Sequence, residues 1–81
     1  MGTINVTSDI TGTVCAVLAT EGQVVDSDDV ILLIESMKME IPAQAPAAGI
    51  VSRIHFKEGD TISEGDIIAS IDLHNTQGSV A

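Results

Sequence analysis

The sequence has little of several residue types, and each shortage excludes a class of protein. Cys15 is the only cysteine among the 81 residues, so no intramolecular disulfide can form. The two histidines, His55 and His74, stand far from each other and from the cysteine, which is too sparse a set for a metal site. We therefore expect Cys15 to be a small buried side chain rather than a reactive thiol, and both histidines to have structural or surface roles.

Basic residues are also scarce. The chain has three lysines and arginines against twelve aspartates and glutamates, for a formal net charge of −9. Because phosphate contacts require clustered basic side chains, this balance argues against binding to nucleic acid or to an anionic membrane. The acidic surface keeps the protein soluble by self-repulsion, and it can also steer the protein onto basic partner surfaces.

Long apolar runs are absent as well. No stretch approaches the roughly 20 apolar residues of a membrane helix, so we expect no membrane insertion. The N-terminus lacks the basic start and apolar segment of a secretory signal, which predicts a cytoplasmic protein. The length suits one small domain, and without disulfides or metals its stability must come from dense aliphatic packing.

The sequence does contain an internal repeat, with a spacing of 37 residues. Residues 4–35 align with residues 41–72, and most of the matches fall on glycines and aliphatic residues at corresponding places. The repeat predicts a duplicated structural unit. The identical pairs are Ile4/Ile41, Gly12/Gly49, Val14/Val51, Glu21/Glu58, Gly22/Gly59, Asp29/Asp66, Ile31/Ile68 and Ile34/Ile71.

Each half of the repeat has the pattern of short strands joined by tight turns. β-Branched residues dominate segments such as "TINV", "QVV" and "VILLI", and no stretch shows a long helical period. Gly22, Gly59 and Gly65 mark turns that require a positive φ. Asp28 stands where the repeat would place a fourth such glycine, and aspartate tolerates the left-handed conformation better than most residues.

These patterns predict an all-β fold for residues 1–73, followed by a flexible tail at residues 74–81. Two similar halves in one chain favour a flattened β-barrel or barrel-sandwich hybrid of two pseudo-twofold-related four-stranded halves. The apolar runs at residues 30–34 and 67–71 predict strands that are covered on both faces. Pro42 and Pro46 lack an N–H and belong on a sheet edge or where a strand begins.

Lys38 lies at the junction of the two halves, between the strands "VILLIE" and "MEIPA". A hairpin must reverse there, so we expect Lys38 at an exposed tip. An ordinary turn lysine is only solvated, and Ser36 two residues away is poor support for a catalytic Ser/Lys pair. Met37 and Met39 are unusual neighbours, because exposed apolar side chains suit recognition by a partner. The alternative is that one or both methionines fold into the core.

The motif "ESMKME", residues 35–40, resembles the attachment site of the biotinyl/lipoyl attachment domain family, in its biotin carboxyl carrier protein type. The resemblance extends over nearly the whole chain, through "DITGTV", "EGQVV", "AAGIV" and "EGDIIASI". It implies that biotin protein ligase links biotin covalently to Lys38. It also implies recognition of Met37 and Met39 by the ligase, with Glu35, Ser36 and Glu40 completing the motif.

The same resemblance implies a carrier without catalytic residues or a metal. The biotin on Lys38 would carry a carboxyl group between a biotin carboxylase and a carboxyltransferase, as part of a biotin-dependent carboxylase or decarboxylase. Ser36 replaces the commoner alanine of the family, and no protruding insertion separates the first-half strands. Two alternatives stay open: a lipoyl carrier, against which the paired methionines argue, and an unmodified β domain that serves as an interaction module.

Overall fold

The computed structural model describes residues 2–73, and every regular element in that range is a β-strand. The all-β prediction is therefore confirmed. The predicted flexible tail, residues 74–81, and with it His74, lie outside the described residues. Residues 2–73 also contain no helix that is long and apolar enough to cross a membrane. The strands are β1 (Thr3–Thr7), β2 (Gly12–Val17), β3 (Val24–Val25), β4 (Val30–Ser36), β5 (Met39–Gln44), β6 (Gly49–Ile54), β7 (Thr61–Ile62) and β8 (Ile67–Leu73).

The strands form two four-stranded antiparallel sheets, with the orders β1-β8-β6-β3 and β5-β4-β2-β7. We call the second one the hairpin sheet and the first one the opposite sheet. A shift of 37 residues converts β1, β2, β3 and β4 into β5, β6, β7 and β8, and it converts one sheet order into the other. The duplication in the sequence thus appears as pseudo-twofold symmetry. Each sheet nevertheless takes two strands from each half, so the halves are interleaved.

The core lies between the sheets and consists of aliphatic side chains from both halves. Dispersion and apolar burial are the main stabilising contributions in a core of this kind. Apart from Leu32, the largest fully buried side chains come in pairs related by the repeat: Ile31 with Ile68, Ile34 with Ile71, Val14 with Val51 and Val25 with Ile62.

The prediction that residues 30–34 and 67–71 are covered on both faces is wrong in part. Leu33 is only half-buried, and Ile67 is 41% exposed. A register shift between Val30 and Leu32 explains the continuous apolar run, because the irregularity lets Ile31 and Leu32 both point into the core. The outer face of β4 therefore remains open to contact from outside.

The turn in which Asp28 replaces the glycine of the repeat keeps its predicted geometry. Asp28 has φ 75°, and its repeat partner Gly65 has φ 91°. The two N–H groups make equivalent hydrogen bonds: Asp28 donates to the Ala45 carbonyl at 2.8 Å, and Gly65 donates to the Ser8 carbonyl at 2.7 Å. Aspartate therefore occupies the left-handed position without changing the turn, as expected from its tolerance for this conformation.

Cys15 is less buried than predicted. Its side chain is half-buried, because Cys15 is the extra residue where β2 shifts register between Val14 and Ala16. The thiol donates to the Leu33 carbonyl at 3.5 Å. Partial burial, followed by the negative charge of Glu40, raises the pKa of the Cys15 thiol, which favours the unreactive protonated form.

Candidate functional site

The hairpin of β4 and β5 brings the six residues of the "ESMKME" motif together. Its strands stay in register up to the tip, with Ile34 opposite Ile41, Glu35 opposite Glu40 and Ser36 opposite Met39. Only Met37 and Lys38 are left to form the turn. Pro42 lies on β5, the edge strand of the hairpin sheet, where its missing N–H interrupts no ladder, as predicted.

The turn has a backbone conformation that its residues do not favour. Met37 has φ 53° and Lys38 has φ 65°, and positive φ at both central residues is typical of a type I′ hairpin turn. Asn-Gly is the usual sequence there, and a left-handed L-residue other than glycine costs about 1–2 kcal/mol. The ladder beneath the tip holds this conformation. Such a cost at an exposed turn is typical of residues kept for function rather than for stability.

Exposure decides between the two interpretations of the methionines. Met37 is 92% exposed and Met39 is 61% exposed, so neither side chain belongs to the core. Lys38 between them is exposed as well. An apolar pair held in solvent around an accessible amine is a surface that a second protein can grip.

The remaining motif residues lie just below the tip. Glu35 and Glu40 are exposed and directly opposite each other, and Ser36 is half-buried. Like charges in this arrangement repel. Within residues 2–73, no group of His, Cys, Asp and Glu side chains is placed to hold a metal ion. The amine that the tip presents to solvent is that of Lys38.

Gly12 supports the site, although the sequence patterns did not assign this residue to it. Gly12 of β2 runs close beside β4, and a Cβ at this position would collide with the Glu35 carbonyl oxygen and approach Ile34 Cγ2 to 2.9 Å. Only glycine permits this close contact at the base of the hairpin. The signal in the sequence was the identical pair Gly12/Gly49, because Gly49 makes the same approach to Asp72 and Ile71.

A two-sheet β domain with an exposed lysine on a tight hairpin has the form of an attachment domain, in which the lysine is a site for a group added by another protein. A family model described as "Biotin-requiring enzyme" matches residues 3–71, and the chain belongs to this biotin/lipoyl attachment family. The resemblance noted in the sequence is thereby confirmed.

Individual relatives agree with this membership. The chain is 46% identical over 67 residues to the biotinylated protein TB7.3 homolog of Mycobacterium leprae, which covers 83% of this chain and 94% of the relative. It is 37% identical over 68 residues to the pyruvate carboxylase of Bacillus subtilis, covering 84% of this chain and 6% of that protein. The chain thus spans nearly all of one relative and a small part of the other.

A solved structure supports the fold. The urea carboxylase of Kluyveromyces lactis contains a similar domain, with a TM-score of 0.84 and 32% sequence identity. The match covers 89% of this chain and 6% of the urea carboxylase chain. The two-sheet arrangement predicted from the repeat therefore agrees with a domain inside a known carboxylase.

Proposed function

We propose that this chain is a biotin carboxyl carrier, either a domain or a subunit of a biotin-dependent carboxylase or decarboxylase. The observation that carries the proposal is the position of Lys38, exposed at a two-residue turn between two exposed methionines. Membership of the biotin/lipoyl attachment family over residues 3–71 supports it. The carboxyl acceptor is selected by the partner enzymes and not by this chain.

Lys38 acts here as a nucleophile for another enzyme. Biotin protein ligase presents biotinyl-adenylate, and the neutral amine of Lys38 attacks its carbonyl carbon. The carbon–oxygen bond to the phosphate breaks, AMP leaves, and the amine loses a proton as the amide forms. Met37 and Met39 are the apolar contacts for the ligase, while Glu35, Ser36 and Glu40 complete the surface that it recognises.

The domain then works by position alone. Biotin held on Lys38 would supply a ring that takes up a carboxyl group at a biotin carboxylase and gives it up at a carboxyltransferase. Because the arm would be fixed to the hairpin tip, transfer between the two sites would be tethered, which raises the effective concentration of the carried group at each site. The domain supplies no acid, base or metal to either reaction. Because the loading and carboxylation steps consume ATP, we propose that the carrier works inside the cell, with the cytoplasm as the compartment that the sequence predicts.

The first prediction tests the attachment site by co-expression with a biotin protein ligase. We expect one biotin per chain by intact mass and streptavidin capture, and complete loss in Lys38→Arg, which keeps the charge but has no acylable amine. Lys57→Arg is the matched control, because Lys57 is the only other lysine and is also exposed. Full labelling of Lys38→Arg would refute the assignment.

The same experiment separates the two alternatives. A lipoyl carrier would show the mass of a lipoyl group on Lys38 when a lipoyl ligase is supplied, and no biotin. An unmodified interaction module would gain no mass with either ligase.

A further inference from the structure

The internal repeat allows each surface position of one half to be compared with the same backbone position of the other half. The two sheets differ at equivalent positions on their outer faces. Four neighbouring residues there form what we call the outer patch: Cys15, Ala16, Leu33 and Pro42. Leu33 lies opposite both Pro42 and Ala16, and the Cys15 thiol contacts the Leu33 carbonyl.

The equivalent four positions of the opposite sheet are all polar. They are Ser52, Arg53, Ser70 and Asn5, each 37 residues away from its counterpart. The pairing is the same, since Ser70 lies opposite Asn5 and Arg53. Ser52 donates to the Ser70 carbonyl at 3.1 Å, which is the contact that Cys15 makes with Leu33. Ser70 also donates to Asn5 Oδ1 at 3.2 Å.

This difference shows which side chains of the outer patch the fold does not require. The polar set shows that the backbone accommodates hydrophilic side chains at these positions, so the apolar set is not required for folding. Pro42 is exposed, and Cys15, Ala16 and Leu33 are half-buried. The four side chains together give the hairpin sheet an apolar outer surface that the opposite sheet lacks at the equivalent positions.

The charged residues beside the outer patch also differ from their counterparts in the opposite sheet. Glu35 follows Leu33 by two residues on β4 and faces Glu40, so two carboxylates repel next to the apolar surface. The equivalent pair in the opposite sheet is Thr3 with Asp72, where Thr3 Oγ1 donates to the carboxylate at 2.9 Å. The Asp72 carboxylate thus has a hydrogen-bond donor within the same sheet. A cation supplied from outside would relieve the repulsion between Glu35 and Glu40.

We propose that the outer patch and the Glu35–Glu40 pair together form a docking surface for biotin protein ligase. The ligase would offer an apolar side chain to the outer patch and a lysine or arginine to the carboxylates. We choose the ligase as the partner because of the length of the arm on Lys38. An unmodified lysine is short, so an enzyme that acylates Lys38 must bring its own surface against the hairpin, whereas biotin extends the arm towards later partners. This inference rests on the proposed function.

The test replaces residues of the outer patch by those of the other half. The double variant Leu33→Ser with Pro42→Asn copies Ser70 and Asn5. Initial rates of biotin transfer are measured against carrier concentration with a purified bacterial biotin protein ligase, biotin and ATP. We expect KM for the carrier to rise about five- to tenfold with kcat changed less than about twofold, as for the loss of uniform binding.

Two further variants keep the test decisive. Val24→Thr removes an exposed apolar residue of the opposite sheet, and it should leave KM unchanged. Ala16→Arg copies Arg53 and covers the outer patch without removing Leu33, so it should raise KM even if the double variant melts early. Thermal melting of every variant identifies a loss of folding.

The possible failures are distinguishable. If the wild-type chain accepts no biotin, the proposed function and this inference both fall. If biotin is accepted with unchanged KM in both patch variants, the docking surface is wrong and the carrier function stands. A defect confined to carboxylation of the loaded chain would assign the surface to biotin carboxylase instead. A wild-type dimer that the variants dissociate in sedimentation would assign it to a second copy.

Discussion

At the residue scale, the hairpin tip combines accessibility with local strain. The turn uses a methionine and a lysine where asparagine and glycine would fit the backbone better. Met37 and Met39 contribute little to folding, since 92% and 61% of their surfaces are exposed. We propose that they serve in contacts with a partner, and the next prediction tests this role.

The second prediction concerns these methionines. Met37→Leu and Met39→Leu keep similar volume but remove the flexible thioether. We expect a clear loss in the rate of biotin transfer, by about three- to tenfold. Melting temperatures should stay within about 2 °C of the wild type, because neither side chain is in the core.

The control for this prediction is a core position of the same hairpin. Ile34→Val removes one buried methyl group and should lower the free energy of unfolding by about 0.5–1.5 kcal/mol while leaving the exposed tip intact. A sharp fall in melting temperature for the methionine variants, with normal biotin transfer, would contradict the recognition role.

At the element scale, two glycines each allow a close approach between neighbouring strands. Gly12 lies against Glu35 and Ile34 of β4, and Gly49 lies against Asp72 and Ile71 of β8. The pair is related by the 37-residue repeat, so the same close approach is built twice. Only the first contact supports the hairpin of β4 and β5 that carries Lys38.

The third prediction follows from this geometry. In Gly12→Ala and Gly49→Ala the new Cβ meets a backbone carbonyl, which cannot move away as a flexible side chain could. We expect each substitution to lower the free energy of unfolding by about 1–3 kcal/mol in chemical denaturation. Gly2→Ala is the control, since nothing lies within 4 Å of the added atom. Equal stability of all three variants would mean that the strands separate easily.

At the scale of the whole molecule, the two halves cannot be divided into independent units. Four strand pairings join residues of different halves: β1 with β8, β2 with β7, β3 with β6 and β4 with β5. Only β2 with β4 and β6 with β8 pair within a half. The duplication is therefore of sequence and backbone path, and the folding unit is the complete domain.

The fourth prediction tests this interdependence. Peptides of residues 1–37 and 38–81 should each lack a cooperative thermal transition and dispersed amide resonances when they are dilute enough to be monomeric, because each half keeps only one native strand pair, β2 with β4 or β6 with β8, and one pair cannot close a core. The intact chain measured under the same conditions is the control. A monomeric half that melts cooperatively would show that the interleaved sheets are not needed for folding.

The sequence by itself determined the all-β class, the duplicated design and the location of the site. Gly12/Gly49 and the paired aliphatic residues marked the repeat, and Lys38 at the junction of the halves marked the hairpin tip, because strand patterns and turn residues are local properties of the chain. The family resemblance of "ESMKME" supplied the identity of the group that we propose for Lys38.

Only the tertiary structure decided how the halves combine and which surfaces remain free. The interleaving of strands, the exposure of Met37 and Met39, the open outer face at Leu33 and the partial burial of Cys15 all depend on pairings between residues distant in sequence. A periodic pattern indicates which side chains are apolar. It does not indicate which sheet face another strand will cover, because burial is set by the packing of the complete chain.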